Sequence, residues 1–131
     1  MPFMAVTIAE FVLKKPSRQP KSITLAKLAE TPLLLMHRQD GIRSHDMVLD
    51  AFAAAGMSPA IFCESDNVLA LLSLVERGLG TAIMPRSTLN LRPSDFHAME
   101  IADCRLESSV AVVWQKGKRL SAPARLFLEM F

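Results

Sequence analysis

The run PLLLMHRQDGIRSHDMVLDAFAAAGMSPAIFCESDNVLALLSLVERGLGTAIMP, from Pro32 to Pro85, contains one structural unit twice. Leu33 to Met36 is a short apolar run of buried-strand type. A polar loop containing Gly41, Arg38 to Arg43, leads to Ser44, a good helix N-cap, and Asp46 suits the positive first turn. Met47, Val48, Ala51, Phe52 and Ala55 then recur on one helical face, and Gly56 supplies a left-handed stop. The second unit has a strand at Ala60–Cys63 and a cap at Ser65 or Asp66. Its helix runs through Val68, Leu69, Leu71, Leu72 and Val75 and ends at Gly78. A third strand, Thr81–Met84, is closed by Pro85. Strands alternating with helices at this spacing give β–α–β–α–β with right-handed crossovers. The expected fold class is α/β, a mainly parallel sheet flanked by helices.

Outward from this core, Phe3 to Ile8 is β-prone and Lys14 to Pro20 reads as a basic, proline-bounded loop. Thr24 caps a short helix, Leu25 to Glu30. Two more strands are expected at Phe96–Ile101 and Ser109–Trp114. Ser121 caps a last helix with Pro123 in its first turn and Leu126, Phe127 and Met130 as its apolar side.

The chain has 131 residues, the size of one domain, with 50% hydrophobic and 21% charged residues. That composition is globular and excludes a disordered tail. Fifteen Lys and Arg against thirteen Asp and Glu leave a net charge of +2, too balanced for a domain living by phosphate contacts. One Trp and no Tyr argue against a base-stacking surface. Cys63 and Cys104 form no close motif; Cys63, in an apolar run, reads as a buried free thiol, and a reducing cytoplasm is expected. The N-terminal FMAVTIAEFVL contains Glu10 and lacks signal-peptide flanks, and no run is long enough to span a membrane.

Catalytic patterns are not readable. Gly78-Leu79-Gly80 follows a helix and opens a strand, the reverse of a dinucleotide-binding turn, so it reads as a helix stop and tight turn. Gly117-Lys118 lacks the rest of a P-loop. His37, His45 and His97 have no zinc spacing, and His45, in a helix's first turn, is expected to be solvated. Nothing brings Cys63 and His97 together as nucleophile and base. The chain is expected to be no enzyme and to carry no metal or cofactor.

What remains is geometric. In an open parallel α/β sheet, ligands bind beyond the carboxyl ends of the strands. The loops there are His37–Ser44, Glu64–Asn67 and Pro85–Thr88, which carry the hydroxyls of Ser44, Ser65, Ser87 and Thr88, the amides of Gln39 and Asn67, and the guanidiniums of Arg38, Arg43 and Arg86. Two helix N-termini at one edge favour a small anion. Arg43 and Arg86 could neutralise a carboxylate, whereas Glu64 and Asp66 oppose one. The expected ligand is a small organic acid or similar polar metabolite.

The series TLAKLAETPLLLM (Thr24–Met36), GIRSHDMVLDAFAAAGMSP (Gly41–Pro59), CESDNVLALLSLVERGLGTAIMPRS (Cys63–Ser87) and AVVWQKGKRLSAPARLFLEMF (Ala111–Phe131) resembles the effector-binding domain of LysR-type transcriptional regulators. The resemblance covers nearly the whole chain; the passage from helix through GLG and strand to MPRS is its most specific part. Such regulators are usually twice this length or more, with a winged helix-turn-helix and two α/β subdomains like those of type II periplasmic binding proteins. The resemblance implies a single effector-binding subdomain in a truncated chain. Residues 1–10 would be a crossover strand, 21–108 the subdomain core, and 109–131 the return crossover strand and C-terminal helix. It also implies a small-molecule effector held by Ser44, Ser65, Pro85 and Ser87; the strand-end loops add Gln39, Arg43, Asp66 and Arg86 as candidates around them. DNA contact would come only through an N-terminal domain absent from these residues, and no membrane partner is implied. The alternative is a stand-alone small-molecule binder of periplasmic-binding-protein type. Apolar residues of the C-terminal helix without their usual neighbours lead us to expect self-association.

Overall fold

The computed structural model describes residues 3–8, 21–38, 44–91, 96–107 and 111–130. Its elements are β1 (Phe3–Ile8), β2 (Ser22–Ile23), α1 (Leu25–Ala29), β3 (Leu33–Met36), α2 (Ser44–Ala54), β4 (Ile61–Ser65), α3 (Val68–Glu76), β5 (Thr81–Pro85), a 3-10 turn (Arg86–Leu91), β6 (Phe96–Ile101) and α4 (Ala122–Leu128). The expected loop at Lys14–Pro20 and the site candidates Gln39 and Arg43 lie outside the described residues.

The strands form one sheet in the order β2-β6-β1-β5-β3-β4. β3 pairs in parallel with both β4 and β5, and β2 in parallel with β6. β1 runs antiparallel to β5 on one side and β6 on the other. Among the described strands, β1 alone therefore opposes the common direction, and the sheet is mainly parallel as the sequence leads one to expect.

Successive residues of β3 point to opposite faces of the sheet, and the core follows that alternation. Leu33 and Leu35 pack with Leu25 and Leu28 of α1, Val48 and Phe52 of α2, and Ile83 of β5. Leu34 packs on the other face with Leu71, Leu72 and Val75 of α3 and with Ala82 and Met84 of β5. β3 is thus buried on both sides, which is why its sequence is a continuous apolar run. β4, at the sheet edge, leaves Ile61 and Phe62 exposed.

Local chemistry sets the element ends. Thr24 Oγ1 accepts from the Lys27 N–H at 3.2 Å, as its sequence position suggests. The next N–H, that of Leu25, donates to Asp103 Oδ1 at 2.9 Å across 78 residues, a link invisible in the sequence. Helices α2 and α3 are followed by Gly56 and Gly78 at φ +69° and +72°. Gly80 serves closeness instead: an added Cβ would lie 2.5 Å from the Pro32 carbonyl oxygen. That oxygen accepts from the Thr81 N–H at 2.9 Å, so the second glycine of GLG lets β5 start flush against β3.

Three expectations change. The cap of α3 is Asn67, whose side chain accepts from the Ala70 N–H; Ser65 Oγ accepts from the Asn67 N–H just before it. α2 begins at Ser44 itself, so this hydroxyl stands in the first turn. Residues 111–114 form no strand. They have no ladder partner, and Val113 is 87% exposed; the remaining expected strand residues, 109 and 110, lie outside the described residues. α4 forms where expected, with Ser121 Oγ accepting from the Ala124 N–H at 3.4 Å, but it buries none of its residues.

Candidate functional site

The chain leaves β3 toward α2 on one face of the sheet and leaves β4 toward α3 on the other. Adjacent parallel strands whose connections depart to opposite faces open a crevice at their carboxyl ends, the place where such sheets hold ligands. Register fixes what lies there. Leu35 pairs with Glu64 and Met36 with Ser65, and the His37 N–H donates to the Ser65 carbonyl at 2.9 Å.

A cluster of side chains meets at these strand ends. His45, in the first turn of α2, meets Glu64 of β4 with Nε2 and Oε1 2.6 Å apart. His37, just past β3, brings Nδ1 to 3.4 Å from the other oxygen of Glu64. Arg38 Nη2 is 3.4 Å from Asp46 Oδ2. The expectation that His45 is solvated is overturned: its side chain is only 11% exposed, because Glu64 and the first turn of α2 enclose it. Its Nδ1 is fully buried, forms no hydrogen bond and lies 3.5 Å from Asp46 Oδ1.

The hydrogen bond with His45 holds the Glu64 carboxyl below its usual range; partial burial opposes this, and His37 adds a smaller lowering contribution. Glu64 is therefore an anion held between two imidazoles. Among the described residues, no group of three or more His, Cys, Asp or Glu could hold a metal ion.

The residues singled out from the sequence fall along this edge. Ser44 opens α2 and Ser65 ends β4, both half-buried; Asp66 follows Ser65 and is exposed. Pro85 ends β5, and Arg86 and Ser87 open the 3-10 turn, both exposed. β5 and β4 flank β3, so Pro85 and Ser65 are two strand spacings apart, roughly 10 Å. The edge thus gathers Ser44, Ser65, Asp66, Pro85, Arg86 and Ser87. His37, His45 and Glu64 were missed as a set. The available signal was a carboxylate at the end of one strand beside a histidine in the helix turn after the preceding strand.

Cys63 and His97 stay apart: β3, β5 and β1 separate their strands. Cys63 is half-buried rather than fully buried, because β4 is an edge strand. Burial raises the Cys104 thiol above its usual range, and the Asp103 charge adds to the effect. An apolar hollow of about 250 Å³, lined by Val112, Val113, Trp114, Leu120, Ala124, Phe127 and Leu128, lies at the C-terminal segment. It offers few groups to orient a polar ligand, unlike the strand ends. No helix among the described residues is long and apolar enough to cross a membrane.

Residues 11–131 match the model of the LysR substrate binding domain. The chain belongs to that family. It is 28% identical over 111 residues to the HTH-type transcriptional regulator BsdA of Bacillus subtilis, covering 84% of this chain and 38% of the relative. It is also similar to the solved C-terminal domain of a probable LysR family transcriptional regulator from Rhodococcus sp. RHA1, 28% identical with a TM-score of 0.66, over 98% of this chain and 62% of that one. HinK, a LysR family regulator of Pseudomonas aeruginosa, shares the fold at 21% identity with a TM-score of 0.75, over 98% of this chain and 44% of that one. The chain thus spans well under half the length of the curated relatives it matches.

Proposed function

We propose that this LysR substrate-binding chain senses a small-molecule effector at the carboxyl edge of β3, β4 and β5, as the non-catalytic signal-receiving part of a cytoplasmic LysR-type transcriptional regulator. The observation that carries this reading is the divergence of the β3 and β4 connections to opposite faces, which opens a crevice lined with polar side chains. Ser44, Ser65, Asp66, Pro85, Arg86 and Ser87 of that edge are its effector-binding residues, and Gln39 and Arg43 are proposed with them from the sequence. The effector is a small organic acid or similar polar metabolite, and DNA contact belongs to segments outside this chain. The near-neutral charge supports that division of labour. The chain self-associates through a second copy of itself, using the exposed Leu126, Phe127 and Met130.

The test is a thermal-shift screen of small organic acids on the intact regulator, with Ser65→Ala and Ser44→Ala alongside. An acid that raises the melting temperature of the parent and loses that effect in both variants is the expected outcome. An effector bound equally well by both variants would place the site elsewhere.

A further inference from the structure

The cluster at the strand ends contains a residue type that the hydroxyls and backbone amides of this edge do not supply. Imidazole is the side chain whose charge normally switches between pH 5 and 8. Two imidazoles share one carboxylate here, at 2.6 Å from His45 and 3.4 Å from His37. Among the described residues, the charged groups facing them are Glu64 from β4, Asp46 from α2, and Arg38 after β3. With both imidazoles protonated, these five side chains carry a net charge of +1; with both neutral, −1. The exposed Asp66 and Arg86 at the neighbouring strand ends balance each other.

Both ring nitrogens of His45 face carboxylates. Nε2 faces Glu64, and the buried, unpartnered Nδ1 faces a carboxylate oxygen of Asp46 at 3.5 Å. A bound anion acts in the same direction as Asp46, because negative charge beside an imidazole favours its protonated form.

We propose that His37, Glu64 and His45 form a proton-coupled carboxylate-binding element, so that this edge takes an acidic ligand together with protons and rejects it when both imidazoles are neutral. The proposal rests on the effector-site reading above and adds its chemistry: a carboxylate ligand, and an affinity that rises as pH falls. By linkage, binding that takes up one proton gains up to about tenfold in affinity per pH unit. Glu64 is the internal competitor, occupying the imidazoles that the ligand would use.

The experiment is an NMR titration of the isotopically labelled 131-residue chain with acetate and with succinate at pH 6.5 and pH 8.0, which reads millimolar binding directly. The expected result is a shift of the His37, His45 and Ser65 signals, with a Kd at least fivefold lower at pH 6.5. His37→Gln should bring the ratio of the two Kd values below twofold. Because His45 is largely buried and its replacement risks the fold, Glu64→Gln is the second variant. Loss of its competing charge should tighten binding at pH 8.0 and narrow the ratio. Equal Kd values at the two pH values overturn the proton coupling but leave the strand-end site standing. A pH ratio unchanged in both variants, or no shift at these residues with either acid at pH 6.5, also overturns the proposal. The effector-site reading falls separately, if an effector of the intact regulator is indifferent to both Ser65→Ala and Ser44→Ala.

Discussion

The carboxyl ends of β3 and β4 and the segment from residue 111 to 130 solve opposite problems. At the strand ends, polar groups meet one another: the largely buried His45 meets Glu64, and the exposed Arg38 meets Asp46. In the C-terminal segment, apolar groups remain in water. Val113 is 87% exposed and Met130 78%, and α4 buries none of its residues. Hydrophobic burial is the main favourable term in folding, and a helix of seven residues is too short to stand by its own propensity. The burial that stabilises this chain therefore lies in the sandwich around β3, to which α4 contributes no buried residue. One region is complete within the chain; the other presents an apolar face to whatever adjoins it.

One residue type tests the contrast most strongly. Phe52 is fully buried under the sheet and Phe127 is 49% exposed. Phe52→Ala should cost about 3–5 kcal/mol in urea unfolding, whereas Phe127→Ala should stay within about 0.5 kcal/mol. Comparable losses would show that the C-terminal segment is packed after all. Gly80→Ala comes next, at about 1–3 kcal/mol, because the Pro32 carbonyl is backbone and cannot swing aside.

The strand-end cluster should show itself in acid. Glu64 has its folded pKa depressed, so its contribution to stability is present above the unfolded carboxylate pKa and is lost as pH falls through the folded one. Glu64→Gln should flatten this part of the acid limb of a melting-temperature profile, by under about 1 kcal/mol since the pair is partly solvated. A profile identical to the parent's would remove Glu64 from the balance. The smallest effect on stability belongs to Phe127→Ser paired with Leu126→Ser. These changes should leave the melting temperature nearly untouched while shifting sedimentation toward monomer; an unchanged association state would move the contact to another face.

Legibility in the sequence follows the range of the forces involved. β3, β4 and β5 could be read because each is an apolar run bounded by Pro, Gly or a polar loop, and the caps at Thr24 and Ser121 act over three residues. The cap of α3 was misplaced because Ser65, Asp66 and Asn67 all have capping chemistry, and only the path of the turn selects Asn67. β2, two residues long, takes its strand character from pairing with β6. The edge carrying the candidate site could be inferred from topology. Its cluster could not, since the partners of Glu64 are 19 and 27 residues away and meet through sheet register and the approach of α2. The Ser109–Trp114 run has strand composition, but composition supplies no partner.

The antiparallel strand carries a consequence for assembly in time. β1, within the first residues of the chain, lies in the interior of the sheet, with β5 on one side and β6 on the other. Met4 pairs with Met84 and with Glu100, so the two ladders close over separations of 80 and 96 residues. Such distant pairings slow folding because the chain must close a long loop before it gains any contact. Until both ladders close, β5-β3-β4 and β2-β6 are separate pieces, each with an open inner edge, and open edges invite pairing with other chains.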